Sequence, residues 1–274
     1  MPAIMGLGIA YGAAARVGAG VFSTGEIVAL AVALGLISGA GGITVAHELM
    51  HRAGPLHRAG AEILMTSVAY PHFCVEHVHG HHRNVATEHD PATSRLGEGL
   101  YRFWVRTLAG GLRSAWRIEA RRVRGRGLGW HVDRRLRYPL GVALAVGVAG
   151  WLGGLAAIFF FGLQGLVAVL LLETINYVEH YGLHRRRLPD GRYERVAPHH
   201  SWNASQRVTN WYLFNLQRHS DHHYKASRPW WALRHYDDVP QLPFGYATAF
   251  LVALVPPLWR RIMDPRVLAW RARS

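Results

Sequence analysis

Ile27-Val-Ala-Leu-Ala-Val-Ala-Leu-Gly-Leu-Ile-Ser-Gly-Ala-Gly-Gly-Ile-Thr-Val-Ala46 carries no charge and runs straight into His47-Glu-Leu-Met-His51. About 20 apolar residues are enough to cross the hydrocarbon of a bilayer. A metal-ligand type therefore sits at the end of a predicted membrane helix. The rest of the chain repeats this association. Tyr138 to Tyr177 holds no Arg or Lys and only Glu173 as a charge. It is long enough for two crossings, with a tight turn expected near Gly150–Gly154 or Gly162. It leads into His180. The fold class that follows is all-α: a polytopic membrane helix bundle with interfacial helices and a cytoplasmic cap that carries a histidine-rich metal site.

Arginine placement sets the expected orientation. Thirteen arginines lie between Arg83 and Arg137, and Arg185-Arg186-Arg187 follow His180. Basic loops favour the cytoplasmic side, so both segments are placed there. Two crossings within 138–178 return the chain to the same face, which agrees. Residues 59–75 are apolar but interrupted by Glu62 and Pro71, and 244–259 contain Pro256-Pro257. Both are read as interfacial rather than spanning. Residues 184–240, rich in turn formers such as Pro189-Asp190-Gly191, form the cap. On this reading, residues 1–274 are one membrane-embedded, multi-pass domain with the metal site facing the cytoplasm. Met1 to Phe22 reads as the end of a membrane helix. It lacks a charged start and cleavage site, so no cleaved signal peptide is expected.

Composition narrows the function classes. The net charge of +14 fits lipid headgroups or an acidic protein partner, and the arginines lie beside apolar segments. No nucleic-acid module accompanies them. Cys74 is the single cysteine, so an intrachain disulfide and a four-cysteine iron site are both excluded.

Eighteen histidines remain to be explained, and they are not scattered. His47 and His51 are spaced to share one helix face. His77, His81 and His82 form a second cluster, in which helical spacing sets His77 beside His81 and turns His82 about 100° away. His219, His222 and His223 form a third, and His180 stands alone in Asn176-Tyr-Val-Glu-His180-Tyr-Gly182. Neutral imidazole is a common metal ligand, and nine such residues can fill the positions of two ions. Imidazole by itself excludes neither zinc nor copper. Glu48, Glu76, Asp90, Glu179 and Asp221 accompany the clusters and are expected to hold the outer N–H of ligating imidazoles, with direct ligation as the alternative. His57, His72, His79, His89, His131, His184, His199, His200 and His235 lack consistent spacing, and most are expected at the surface or interface; the pair His199-His200, before Ser201-Trp-Asn203, stands apart from them. His-Glu-x-x-His also occurs in zinc peptidases, but a single zinc would leave six clustered histidines without a role.

The motifs His47-Glu-Leu-Met-His51-Arg, Glu76-His-Val-His-Gly-His-His82-Arg-Asn-Val-Ala-Thr87 with Asp90-Pro91-Ala92, Asn176-Tyr-Val-Glu-His180-Tyr-Gly182, and Leu216-Gln-Arg-His219-Ser-Asp-His222-His223 closely resemble the bacterial alkane 1-monooxygenase (alkane ω-hydroxylase) family. That family lies within the membrane fatty-acid desaturase and hydroxylase superfamily. The likeness extends from Ile27 to Val267 and includes His200-Ser-Trp-Asn203, Ala232-Leu-Arg234 and Pro240-Gln-Leu-Pro243. It implies a non-haem centre of two iron ions held by His47, His51, His77, His81, His82, His180, His219, His222 and His223, with His79 outside the ligand set. It further implies dioxygen as oxidant, hydroxylation of the terminal carbon of n-alkanes, and electrons from a separate rubredoxin and its reductase. Two departures stand out. The family's bundle begins with further membrane helices, which are expected to be missing before Ile27. The stretch Val85-Ala-Thr-Glu-His-Asp-Pro91 lacks a proline often found after the threonine. The alternatives are a xylene-type monooxygenase, a fatty-acyl hydroxylase or desaturase, or an inactive, truncated metal-binding homologue.

Overall fold

The computed structural model describes residues 12–13 and 15–273. Among them the regular structure is helical, and extended pairing is limited to isolated bridges, Arg187 with Tyr193 and Asn203 with Gln241. Most of the apolar stretch before Phe22 lies outside the described residues. The chain forms two compact units: Met1–Glu76 with Ala115–Leu172, and His77–Ser114 with Glu173–Ser274.

In the first unit, α1 (Thr24–Met50) starts at a capping box. Ser23 Oγ accepts the Glu26 N–H, and Glu26 Oε2 accepts the Ser23 N–H at 2.8 Å, so two otherwise unpaired helix-start donors are satisfied. The helix is apolar on every side, as befits a helix buried or in lipid. Small residues let it approach its neighbour. A Cβ on Gly35 would lie 2.7 Å from the Gln164 carbonyl, and one on Gly39 would lie 2.8 Å from Leu171 Cδ2. Backbone contact at a small-xxx-small stripe is a common way for membrane helices to pack. The stretch Ser38–Ile43, with three of its six residues glycine, widens into a π-turn before the helix resumes toward His47. Short α2 (Pro55–Thr66) buries Ala61, Leu64 and Met65 and is too short to cross a bilayer.

The second apolar helix, α5 (Arg134–His180), is broken where Gly153 and Gly154 leave helical geometry, Gly154 at φ 62°. Ala145 and Ala149 on one side of the break pack against Phe161 on the other, so the two arms fold back on each other. At 1.5 Å per residue the arms are roughly 28 and 39 Å long, and each can cross about 30 Å of hydrocarbon. Leu140, Leu144, Trp151 and Leu155 are exposed, as expected for side chains facing lipid. At its start, α5 is pinned by buried polar contacts: Arg134 Nε and the Tyr138 hydroxyl both donate to Glu62 Oε1.

The second unit packs around one aromatic core. It joins the first turns of α4 (Leu100–Arg126), the end of α5, α8 (Tyr246–Ala253) and α9 (Pro256–Arg271) through Phe103, Tyr177, Tyr181, Tyr246 and Trp259. The histidine-bearing pieces are short: α3 (residues 73–84), which contains the π-turn His77–His81, and α7 (His219–Tyr224), preceded by α6 (Arg207–Tyr212). Gly182 ends α5 at φ 70°, where a Cβ would press on Val267 at 2.8 Å. Only glycine fits that turn, which releases the chain directly after His180.

Candidate metal centre

The π-turn decides how the second histidine cluster is used. In a regular α-helix His77 would share a face with His81. The wider π-turn instead brings His77 against His82, with their Nε2 atoms 3.0 Å apart. His222 Nε2 joins them, 3.1 Å from His82 Nε2. His81 is turned into a different group with His180, His219 and His223. There His81 Nε2 lies 3.2 Å from His223 Nε2, and His180 Nε2 lies 3.2 Å from His219 Nε2. Helix α7 divides its ligand types the same way: His219 and His223, four apart, enter one group, and His222 enters the other. The pairing expected from plain helical spacing, His77 with His81, is thus replaced by His77 with His82.

In the first unit, His47 and His51 lie on the last turns of α1, their ring centroids 5.0 Å apart. Glu48, between them, pairs with Arg52.

The donor set fits metal ions. Facing imidazole nitrogens about 3 Å apart repel through their lone pairs unless a proton or cation lies between them. Two metal–nitrogen bonds of about 2.1 Å separate their nitrogens by about 3.0 Å at a right angle and about 3.4 Å at the tetrahedral angle. The spacings in both groups, 3.0 to 3.2 Å, are those of donors around one ion, nearer the right-angled case. The group is also held neutral. Burial, reinforced by neighbouring imidazoles, keeps His223 well below the usual histidine range, so its lone pairs are available at neutral pH.

Asp90 orients one ligand. His81 Nδ1–H donates to Asp90 Oδ2 at 2.8 Å, which leaves Nε2 as the lone-pair nitrogen facing the group. Asp90 is itself fixed by the Thr93 hydroxyl at 2.6 Å and the Ala92 N–H at 3.1 Å. Burial alone would raise its pKa, but His81 and Thr93 hold it below the ordinary carboxylate value. Arg106 braces this loop from α4, donating to Glu98 at 2.7 and 2.8 Å and to the Pro91 and Thr93 carbonyls. A cavity of about 450 Å³, lined by Asp90, Thr93, Arg185 and Tyr193 together with Leu96 and Leu183, adjoins this loop.

The other carboxylates differ. Glu76 is buried on α3. Asp221 is occupied by Arg228, the Arg234 N–H at 2.8 Å and the Tyr236 hydroxyl at 2.7 Å, so it ties the loop at 228–236 to α7. Glu179 Oε2 lies 3.1 Å from His219 Nε2.

A third cluster, Glu194, His199 and His200, has donor atoms within 4.8 Å of one another. Its hydrogen bonds argue against a metal. His200 Nδ1 accepts the Ala197 N–H at 3.0 Å, so the ring proton sits on Nε2 and is donated to Glu194 Oε1 at 3.2 Å. Both nitrogens are engaged, and Glu194 also takes the Arg186 N–H at 2.8 Å. His200, one of the pair that stood apart in the sequence, is buried, and burial together with His199 lowers its pKa to about 4. Arg106, Thr93 and Tyr246 escaped the sequence reading because no spacing rule marks them.

Two groups of converging imidazoles, with two helices long and apolar enough to cross a membrane, are the features of a class of helical, histidine-rich proteins able to hold metal. A family profile for fatty acid desaturases matches residues 26–262, and the chain belongs to that family. It is similar to Alkane 1-monooxygenase 1 of Pseudomonas aeruginosa, 50% identical over 244 residues that cover 88% of this chain and 64% of the relative. The Alkane 1-monooxygenase of Acinetobacter baylyi is 43% identical, covering 88% of this chain and 59% of the relative. The xylene/toluene monooxygenase hydroxylase component XylM of Pseudomonas putida is 29% identical, covering 90% and 66% respectively. The chain therefore spans about two thirds or less of the length of these relatives.

Proposed function

We propose that this protein is a non-haem di-iron monooxygenase of the bacterial inner membrane that hydroxylates the terminal carbon of n-alkanes. The observation that carries the reading is the pair of imidazole groups, His81, His180, His219 and His223 in one and His77, His82 and His222 in the other, in a chain half identical to an alkane monooxygenase. His47 and His51 complete the set of nine proposed ligands. Two irons held there would supply the dioxygen chemistry, in which two electrons from the donor and two protons are consumed so that one oxygen atom enters the C–H bond and the other leaves as water.

The protein's own share of the work is positional. Asp90 fixes the tautomer of His81. The π-turn at His77–His81 sends adjacent histidines to different ions. Exposed apolar faces of α1 and α5 suit a polytopic bundle in lipid, through which a hydrocarbon reaches the site without crossing water. The arginine-rich residues 113–137 face the cytoplasm and attract an acidic electron donor, a separate rubredoxin reduced by its reductase.

The test is conversion of octane and hexadecane by whole cells supplied with rubredoxin and reductase, beside a His222→Ala control. The expected outcome is oxygen-dependent 1-alkanol with the native chain and none with the variant. The likeness to XylM favours one second reading, an aromatic methyl group as substrate. Oxidation of xylene with no alkane product would replace the alkane assignment.

A further inference from the structure

Asp90 and Glu179 both meet an imidazole, but on opposite sides of the ring. Asp90 sits behind His81, at Nδ1. Glu179 Oε2 sits 3.1 Å from His219 Nε2, the nitrogen that faces His180 Nε2 at 3.2 Å. It is as close to that nitrogen as the imidazole donors are to each other. It is not one of the four donors that all lie within 4.8 Å, so it stands at the rim of the group rather than inside it.

What holds it there is a single hydroxyl. Tyr246 donates to Glu179 Oε1 at 2.7 Å, and both residues are buried. The Glu179 carbonyl accepts the Trp202 N–H at 2.8 Å, which fixes the backbone but not the carboxylate. Tyr246 is itself fixed: its N–H donates to Gln217 Oε1 at 2.9 Å, and Gln217 lies two residues before His219. Tyr246 thus ties the carboxylate to the segment that presents His219. Without that donor Oε1 is left unpaired in a buried place, and a carboxylate that turns to find another partner carries Oε2 away from His219.

We propose that Tyr246 is a positioning residue whose hydroxyl, by fixing Glu179 Oε1, holds Oε2 at the metal-facing nitrogen of His219 and so tunes the group of His81, His180, His219 and His223, leaving the other group unaffected. This rests on the reading that both groups bind metal. Partners outside the ligands of a metal site typically change affinity by about 10- to 100-fold when removed.

The purified full chain in detergent is titrated anaerobically with Co(II), following bound metal and the visible ligand-field bands, for the native protein, Tyr246→Phe, Glu179→Gln, the double variant and Tyr177→Phe. Tyr177 is an equally buried tyrosine in the same core, and its hydroxyl bonds the Glu98 carbonyl instead. The expected result is two bound ions in the native chain and one binding step weakened about 10- to 100-fold in Tyr246→Phe, with that step's bands displaced. Glu179→Gln should weaken the same step, the double variant should add nothing further, and Tyr177→Phe should leave both steps in place. Unchanged binding in Tyr246→Phe, or equal weakening of both steps there and in Tyr177→Phe, overturns the proposal. If Tyr246→Phe does not fold, Glu179→Gln alone decides, and a native-like titration for it sinks the idea. A native chain that takes up no metal refutes the metal-centre reading itself.

Discussion

Asp90 holds His81, Thr93 and the Ala92 N–H in a space closed to solvent. Asp90→Asn keeps the size but replaces an acceptor with a group that must turn its amide. Metal affinity at the His81 group is expected to fall about 10- to 100-fold, read as iron content after dialysis against a chelator. Full retention of iron would show that the carboxylate does not orient His81. His200 gives a pH prediction. Its pKa in the folded chain is about 4, against an ordinary 6.5, because burial and His199 oppose its charged form. The unfolded chain therefore binds a proton that the folded chain refuses between those values. The stability it contributes is complete above pH 6.5 and is lost as pH falls toward 4. Thermal unfolding in detergent across that range should show this slope, and His200→Gln should flatten it. An unaltered slope in the variant would assign the effect to other groups, such as buried His72, which burial also lowers to about 4.

At the scale of elements, close packing decides what a glycine is worth. An exposed helical Gly→Ala gains about 0.5–1 kcal/mol. Gly147 on α5 has open space where a Cβ would go, so Gly147→Ala should raise the melting temperature or leave it unchanged. At Gly35 the same Cβ would meet the Gln164 carbonyl at 2.7 Å, and backbone cannot step aside cheaply. Overpacking costs about 1–3 kcal/mol, which exceeds the helix gain, so Gly35→Ala should lower the melting temperature. A rise in both variants would mean that α1 and α5 are not held as closely as described. Helical periodicity places the long elements correctly but cannot announce a π-turn, because the extra residue follows from local packing rather than from residue type. For that reason the pairing of His77 was misread while the membership of His77, His81 and His82 in one cluster was legible.

At the scale of the whole molecule, His47 and His51 belong to one compact unit and the other seven histidines of the assigned set to the second. If His47 and His51 hold metal, the double variant His47→Ala/His51→Ala should lose iron and activity. Full iron content would confine the metal sites to the second unit. Electrostatics also act at this scale. With a net charge of +14, attraction of an acidic electron donor is screened beyond about 8–10 Å at physiological salt. The rate of rubredoxin-driven turnover should therefore fall as ionic strength rises, and a flat response removes the arginine-rich surface as its docking site.

The residues alone were enough to indicate a helical chain, two long apolar helices and clusters of imidazole able to hold metal. Each follows from a local rule: uncharged length, helical spacing, or the chemistry of a side chain. The tertiary structure alone decided the division of the histidines between two groups, the choice of Gly153–Gly154 over Gly162 for the turn in α5, and the contrast between Asp90 behind one ring and Glu179 in front of another. Those depend on where distant segments meet, such as Tyr246 on Glu179 or Arg106 on the Asp90 loop, and no spacing along the chain encodes a contact that packing creates.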